Sequence, residues 1–131
     1  MTSPKKKVAQ KQEELRARLW PDLDLKTLWS RKERHGFATL PRTMPLIMEI
    51  MDGLSKGKPI SSTYLELWCR AFDEAVVSLS KPDELAFHAG FTGPRAIATW
   101  RQRLQILHEL GFIRIASGTG GEYSFALVLK P

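Results

Sequence analysis

Apolar and polar positions alternate with helical period along most of this chain and switch to a period of two only near its end. Between Lys5 and Trp20 there is neither Gly nor Pro, and Val8, Gln12, Leu15 and Leu19 fall on one face, which predicts a narrow-striped helix closed by Pro21. Such a helix could dock on the rest of the chain, on a second copy or on a nucleic-acid backbone. Residues 21–45 contain Trp29 and the cluster Arg31-Lys32-Glu33-Arg34-His35, and Pro41 and Pro45 push their preceding residues out of the helical region, so an extended connector is expected. Pro45 suits the first turn of a helix in which Leu46, Ile47, Ile50, Met51 and Leu54 share a face, ended by Gly53 and Ser55–Pro59. Met44, Met48 and Met51 are expected in the core.

Thr63 followed by Glu66 has the spacing of a capping box. Leu65, Trp68, Cys69, Phe72 and Val76 then recur at steps of three or four, predicting a buried stripe, with 75–79 leaving as a short strand at Val76-Val77. Ser80-Lys81-Pro82-Asp83-Glu84 opens another helix, with a capping hydroxyl, a first-turn proline and two carboxylates at the positive end of the dipole. It is short. Ala86, Gly90 and Phe91 lie at the spacing of two helices meeting at a tight corner, in which Ala86 permits close approach and Gly90 takes a left-handed backbone angle.

The following helix, Pro94–Leu110, turns Ile97, Trp100, Leu104 and Leu107 inward. Its opposite side carries Arg95, Ala98, Thr99, Gln102, Gln105 and Ile106, with Arg101 at the edge. Long side chains that donate and accept hydrogen bonds, next to small ones, suit the edges of bases in a major groove, and equally a solvated face. Gly111 stops the helix. Two alternating runs, 112–116 and 123–129, then predict a hairpin whose inner face holds Ile113, Ile115, Tyr123, Phe125, Leu127 and Leu129.

The 131 residues suffice for one domain and an arm, and hydrophobic (43%) and charged (26%) fractions match an ordinary globular chain. The net charge of +6 favours a polyanionic partner. It is uneven: residues 1–43 hold +6, residues 44–84 hold −3 and residues 85–131 hold +3. The run Lys5-Lys6-Lys7 fits either nucleic-acid contact or a solubilising tail. Cys69 is the single cysteine, which excludes an internal disulfide and suits a reducing compartment. No secretory leader or membrane span is apparent, so a cytoplasmic chain is expected. His35, His88 and His108 have no metal-site spacing, Gly118-Thr119-Gly120-Gly121 lacks the Lys-Ser/Thr and helix of a phosphate loop, and Asp73-Glu74 and Asp83-Glu84 are sequence neighbours, not opposed acids. An enzyme is not expected, and neither is a cofactor, metal or small-molecule ligand.

Ser80–Lys130 resembles the winged helix-turn-helix superfamily of DNA-binding domains through Glu84-Leu85-Ala86, Gly90, Ile97 or Trp100, and Leu107-His108-Glu109-Leu110-Gly111-Phe112-Ile113 before a hairpin. That resemblance implies an α+β, mainly helical fold with an N-terminal helical extension (1–43) and a winged-helix domain (44–131). Within that domain it implies a helix-turn-helix at 80–110, a wing at 112–130 and 94–110 as recognition helix, with 61–79 or 45–55 as first helix. Two features depart from the pattern: the spacing from Gly90 to Trp100 is long, and the wing tip has no Lys or Arg.

The expected function is sequence-specific DNA binding by a bacterial or mobile-element regulator, most simply a repressor associated with the nucleoid. Alternatives are a plasmid or integrative-element replication or partition protein, and a protein-interaction winged helix. The expected partner is double-stranded DNA, with a homodimer matching two half-sites. Arg95, Thr99, Gln102 and Gln105 would face bases, and Lys5, Lys6, Lys7, Thr92, Arg101, Arg103, Arg114 and Thr119 the backbone.

Overall fold

The structure, a computed structural model, describes residues 3–33 and 36–131; Arg34 and His35 of the basic cluster lie outside it. The chain divides into two compact units, Met1–Phe37 and Ala38–Pro131. In the first, helix α1 (Pro4–Leu19) is capped by Ser3, whose hydroxyl accepts from the Lys6 amide at 3.2 Å, with Pro4 at its first position. Beyond Pro21 a single 3₁₀ turn, Leu25–Thr27, is capped by the Asp24 carboxylate, and Trp29 meets Phe37 edge-on at 6.4 Å. No described residue of this unit is buried.

The second unit runs α2 (Met44–Leu54), α3 (Ser61–Arg70), β1 (Val76–Ser78), α4 (Pro82–His88), α5 (Ala96–Leu110), β2 (Ile113–Gly118) and β3 (Gly121–Val128). It is α+β, with an antiparallel three-stranded sheet in the order β1-β3-β2. Val77 pairs with Ala126 and Ile113 with Val128, so both outer strands hang on β3. Trp100, Leu104 and Leu107 of α5 are fully buried against Tyr64 and Leu67 of α3, Leu85 and Ala86 of α4, and Ile113 and Ala126 of the sheet. α5 ends at Gly111 in the left-handed region, where the amides of Gly111 and Phe112 donate to the carbonyls of His108 and Leu107. Tyr64 donates its hydroxyl to the Leu129 carbonyl at 2.7 Å, tying α3 to the end of the sheet, and burial pushes its pKa up to about 12.

Several expectations need correction. α3 starts at Ser61, and Thr63 does not cap it: the Thr63 side chain is fully buried and its hydroxyl has no partner among the described residues, while Glu66 pairs with Arg70. The start of α3 is held instead by Asp52 of α2, whose carboxylate accepts from the amides of Ile60 and Ser61, both at 2.9 Å, and from the Ser61 hydroxyl at 2.7 Å. The buried stripe of α3 is accordingly Thr63, Tyr64 and Leu67; the helix stops at Arg70, so Cys69 is exposed and Phe72 is 85% exposed. On α2 the inward face is Met44, Ile47, Met48 and Met51, which leaves Leu46, Ile50 and Leu54 more than half exposed.

A further correction concerns β3, where the smaller residues Ser124, Ala126 and Val128 face the core and Phe125 is 45% exposed. Register dictates this: Ile113 and Ile115 are inward, and their partners Val128 and Ala126 must share that face. At the start of α4 the Ser80 hydroxyl accepts from Ser78 instead of capping, although Pro82, Asp83 and Glu84 occupy the first turn as expected.

Candidate nucleic-acid interface

The corner between α4 and α5 sets the geometry. Gly90 lies at φ +100°, outside any helix, and the Phe91 amide donates to the Ala86 carbonyl at 3.0 Å, folding Phe91 onto the core. Pro94 and Arg95 complete a turn closed by the Ala96 amide on the Gly93 carbonyl, so α5 starts at Ala96 and not at Pro94. Because Trp100, Leu104 and Leu107 point inward, the helical period turns Ala98, Arg101 and Gln102 out, all exposed, with Arg95 exposed at the helix start. Thr99 and Gln105 are half-buried at the margins of this strip.

An open groove of about 580 Å³ runs along the strip, bounded by Arg101, Gln102, Gln105 and Glu109 of α5, Tyr123 of β3 and Lys58 of the α2–α3 loop. Tyr123 organises its floor. The Arg101 guanidinium sits over the Tyr123 ring at 5.8 Å, a cation–π contact that restrains a long side chain. The Tyr123 hydroxyl donates to Gln105 Oε1 at 3.5 Å, and Gln105 Nε2 donates to Glu109 at 3.4 Å. Gln105 is therefore half engaged within the protein, with one amide hydrogen left to offer.

Arg103 also differs from a free phosphate contact. It is half-buried, its guanidinium packs over Phe91 at 5.9 Å, its Nε is enclosed without a partner among the described residues, and Nη1 donates to Gln102 Oε1 at 3.2 Å. It thereby steadies Gln102. Thr92 is exposed in the corner, Arg114 is exposed on β2, and Thr119 is exposed in the two-residue turn between Gly118 and Gly121. Lys5, Lys6 and Lys7 are exposed in the first turns of α1. Lys58 and Tyr123 were not among the expected site residues: a lysine in a Gly-Pro loop has no periodicity, and Tyr123 reads as a core position of a strand.

Charge is segregated between the units. Residues 1–37 hold ten basic and five acidic side chains, while residues 38–131 hold ten and nine. The Cys69 thiol, exposed but partly desolvated by its neighbours, is pushed up by that desolvation and by the Glu66 carboxylate, opposite to the shift an activated nucleophile needs. Among the described residues no three His, Cys, Asp or Glu side chains are grouped to hold a metal ion, and no helix is long and apolar enough to cross a membrane. Compared with protein-family models, curated proteins and solved structures, the chain matches none.

Proposed function

We propose that residues 38–131 form a winged helix-turn-helix domain that binds double-stranded DNA, with α3 as first helix, α4 and α5 as the helix-turn-helix and the β2–β3 hairpin as wing. The observation that carries this is the uncovered polar strip of α5, Arg95, Ala98, Arg101 and Gln102, standing beside a hairpin with its apolar side locked in the core. A helix presented this way fits a major groove about 12 Å wide, and Arg and Gln are the side chains that pair with base edges in two-point contacts. The role is binding, not catalysis, and needs no cofactor. Occluding a promoter as a repressor on the nucleoid is the simplest use for a domain of this size; a replication or partition role would use the same contacts at a different target. Two copies on adjacent half-sites would double the recognised length.

Selection of duplexes from a random pool by the full chain tests this directly. A recurrent sequence, symmetric if two copies bind, is expected. Failure to retain any duplex at low salt contradicts the proposal. A second reading, docking on a protein partner, is favoured by the aliphatic stripe Leu46, Ile50 and Leu54, exposed at 58%, 52% and 53%, on a unit whose charges nearly cancel. Salt separates the two, because phosphate neutralisation makes affinity fall steeply as salt rises and apolar docking does not.

A further inference from the structure

Resting on the DNA-binding reading above, we infer that the α2–α3 loop, residues 55–59, is a second lobe of the interface that grips the phosphate backbone through Lys56 and Lys58. Lys58 lines the same groove as Arg101, Gln102 and Gln105, so a duplex seated on the α5 strip passes this loop. Both lysines are exposed, and neither forms an ion pair among the described residues. The two other cations of the acidic 44–84 stretch are Arg70, committed to Glu66 and Glu84, and Lys81 at the start of α4.

The loop is also held in shape. The Asp52 carboxylate fixes its far end at Ile60 and Ser61, the Ser55 hydroxyl donates to the Asp52 carbonyl at 3.1 Å, and the Lys58 amide donates to the Ser55 carbonyl at 3.3 Å. Lys56 at φ 49° and Gly57 at φ 86° make a pair of left-handed residues between these anchors. For a lysine that conformation is unfavourable, so its neighbours must impose it. A preorganised loop loses less freedom on gripping a phosphate than a mobile one. The hairpin tip Gly118-Thr119-Gly120-Gly121, by contrast, has no cation at all. Among the described residues that line the groove, Lys58 is the cation contributed from outside α5, and Glu109 is the one carboxylate.

The test compares the full chain with Lys56→Asn/Lys58→Gln, Asn being chosen because it tolerates left-handed backbone. Affinity for a selected duplex and for a scrambled one is measured between 50 and 200 mM KCl, with thermal melting of each protein as a control. Two lost phosphate contacts should flatten the slope of log affinity against log salt by about 1.8, so the double variant loses roughly 12-fold less affinity over that range, alike on both duplexes. Lys58→Gln alone should flatten it by about 0.9. Glu109→Gln should tighten both complexes at low salt. If the double variant melts like its parent and keeps the parental slope, the loop is not a phosphate contact, while DNA binding by α5 survives. If the parent itself binds no duplex, the DNA-binding reading fails and the loop's role with it.

Discussion

Residues 1–37 and residues 38–131 carry the same number of cations, ten each, yet they use them differently. In the first unit the cations outnumber acids two to one, and eight large apolar side chains, from Val8 to Phe37, remain exposed around a helix that buries nothing. In the second the charges nearly cancel and sixteen buried hydrophobic residues form one core. Under the proposed DNA-binding role, the difference would separate two tasks. Long-range attraction to a polyanion needs net charge and little structure, whereas base discrimination needs side chains held to a fraction of an ångström by packing. The extension has the first property and the body the second.

The sharpest way to break this contrast is to truncate apolar side chains in each unit. Trp100→Ala, at the centre of the core, should cost about 3–5 kcal/mol and abolish cooperative melting near room temperature. Leu15→Ala in α1 should change stability by less than about 0.5 kcal/mol, as for an exposed position. A comparable loss at Leu15 would mean that α1 is structural.

Next come Asp52 of α2, which the sequence reading does not single out, and Thr63 of α3, which it misassigns as a cap. Asp52→Ala removes three hydrogen bonds that hold the start of α3, and a loss of about 2 kcal/mol in denaturant unfolding is expected. Thr63→Val, which keeps the shape and deletes an unpartnered buried hydroxyl, should leave stability unchanged or raise it by about 1 kcal/mol. Were Thr63 the cap, the same change would destabilise.

Recognition should divide along the same line. Arg95→Ala should cost about 1–3 kcal/mol at one preferred base and little on other sequences, while Lys6→Gln should weaken all duplexes alike and flatten the salt slope by about 0.9. Equal losses on every sequence for both variants would remove Arg95 from base readout.

A separate effect lies at high pH. The Tyr64 hydroxyl, at an ordinary value near 10 when unfolded, is pushed up to about 12 in the fold, so the unfolded chain releases its proton first. Stability is full below pH 10 and drains away as pH rises from 10 to 12. Tyr64→Phe should flatten that loss while giving up the bond to Leu129 at every pH.

How much of this is written locally can be seen element by element. α1, α5 and the Gly90 corner follow from nearby residues: a Ser-Pro start, a Gly stop and the spacing Ile97-Trp100-Leu104-Leu107 are sufficient. β1 is likewise visible in Val76-Val77. The face of α3 is not, because Asp52, nine residues before Ser61, sets its start, and a shift of one or two positions rotates Cys69 and Phe72 out and Tyr64 and Leu67 in. Nor is the inner face of β3, where hydrophobic size points to Phe125 and Leu127 but pairing with Ile113 and Ile115 selects Val128 and Ala126. The α5 strip was readable from its period; Lys58 and Tyr123 reach it only through tertiary contacts.

The most direct test of the central claim is a titration of the isotopically labelled full chain with its selected duplex, followed by backbone amide NMR. Interface on the α5 strip predicts that the largest shifts fall on Arg95, Ala98, Arg101 and Gln102, with the Leu46-Ile50-Leu54 face of α2 unmoved. Saturable duplex binding that leaves the α5 amides in place and shifts other surfaces instead would contradict it.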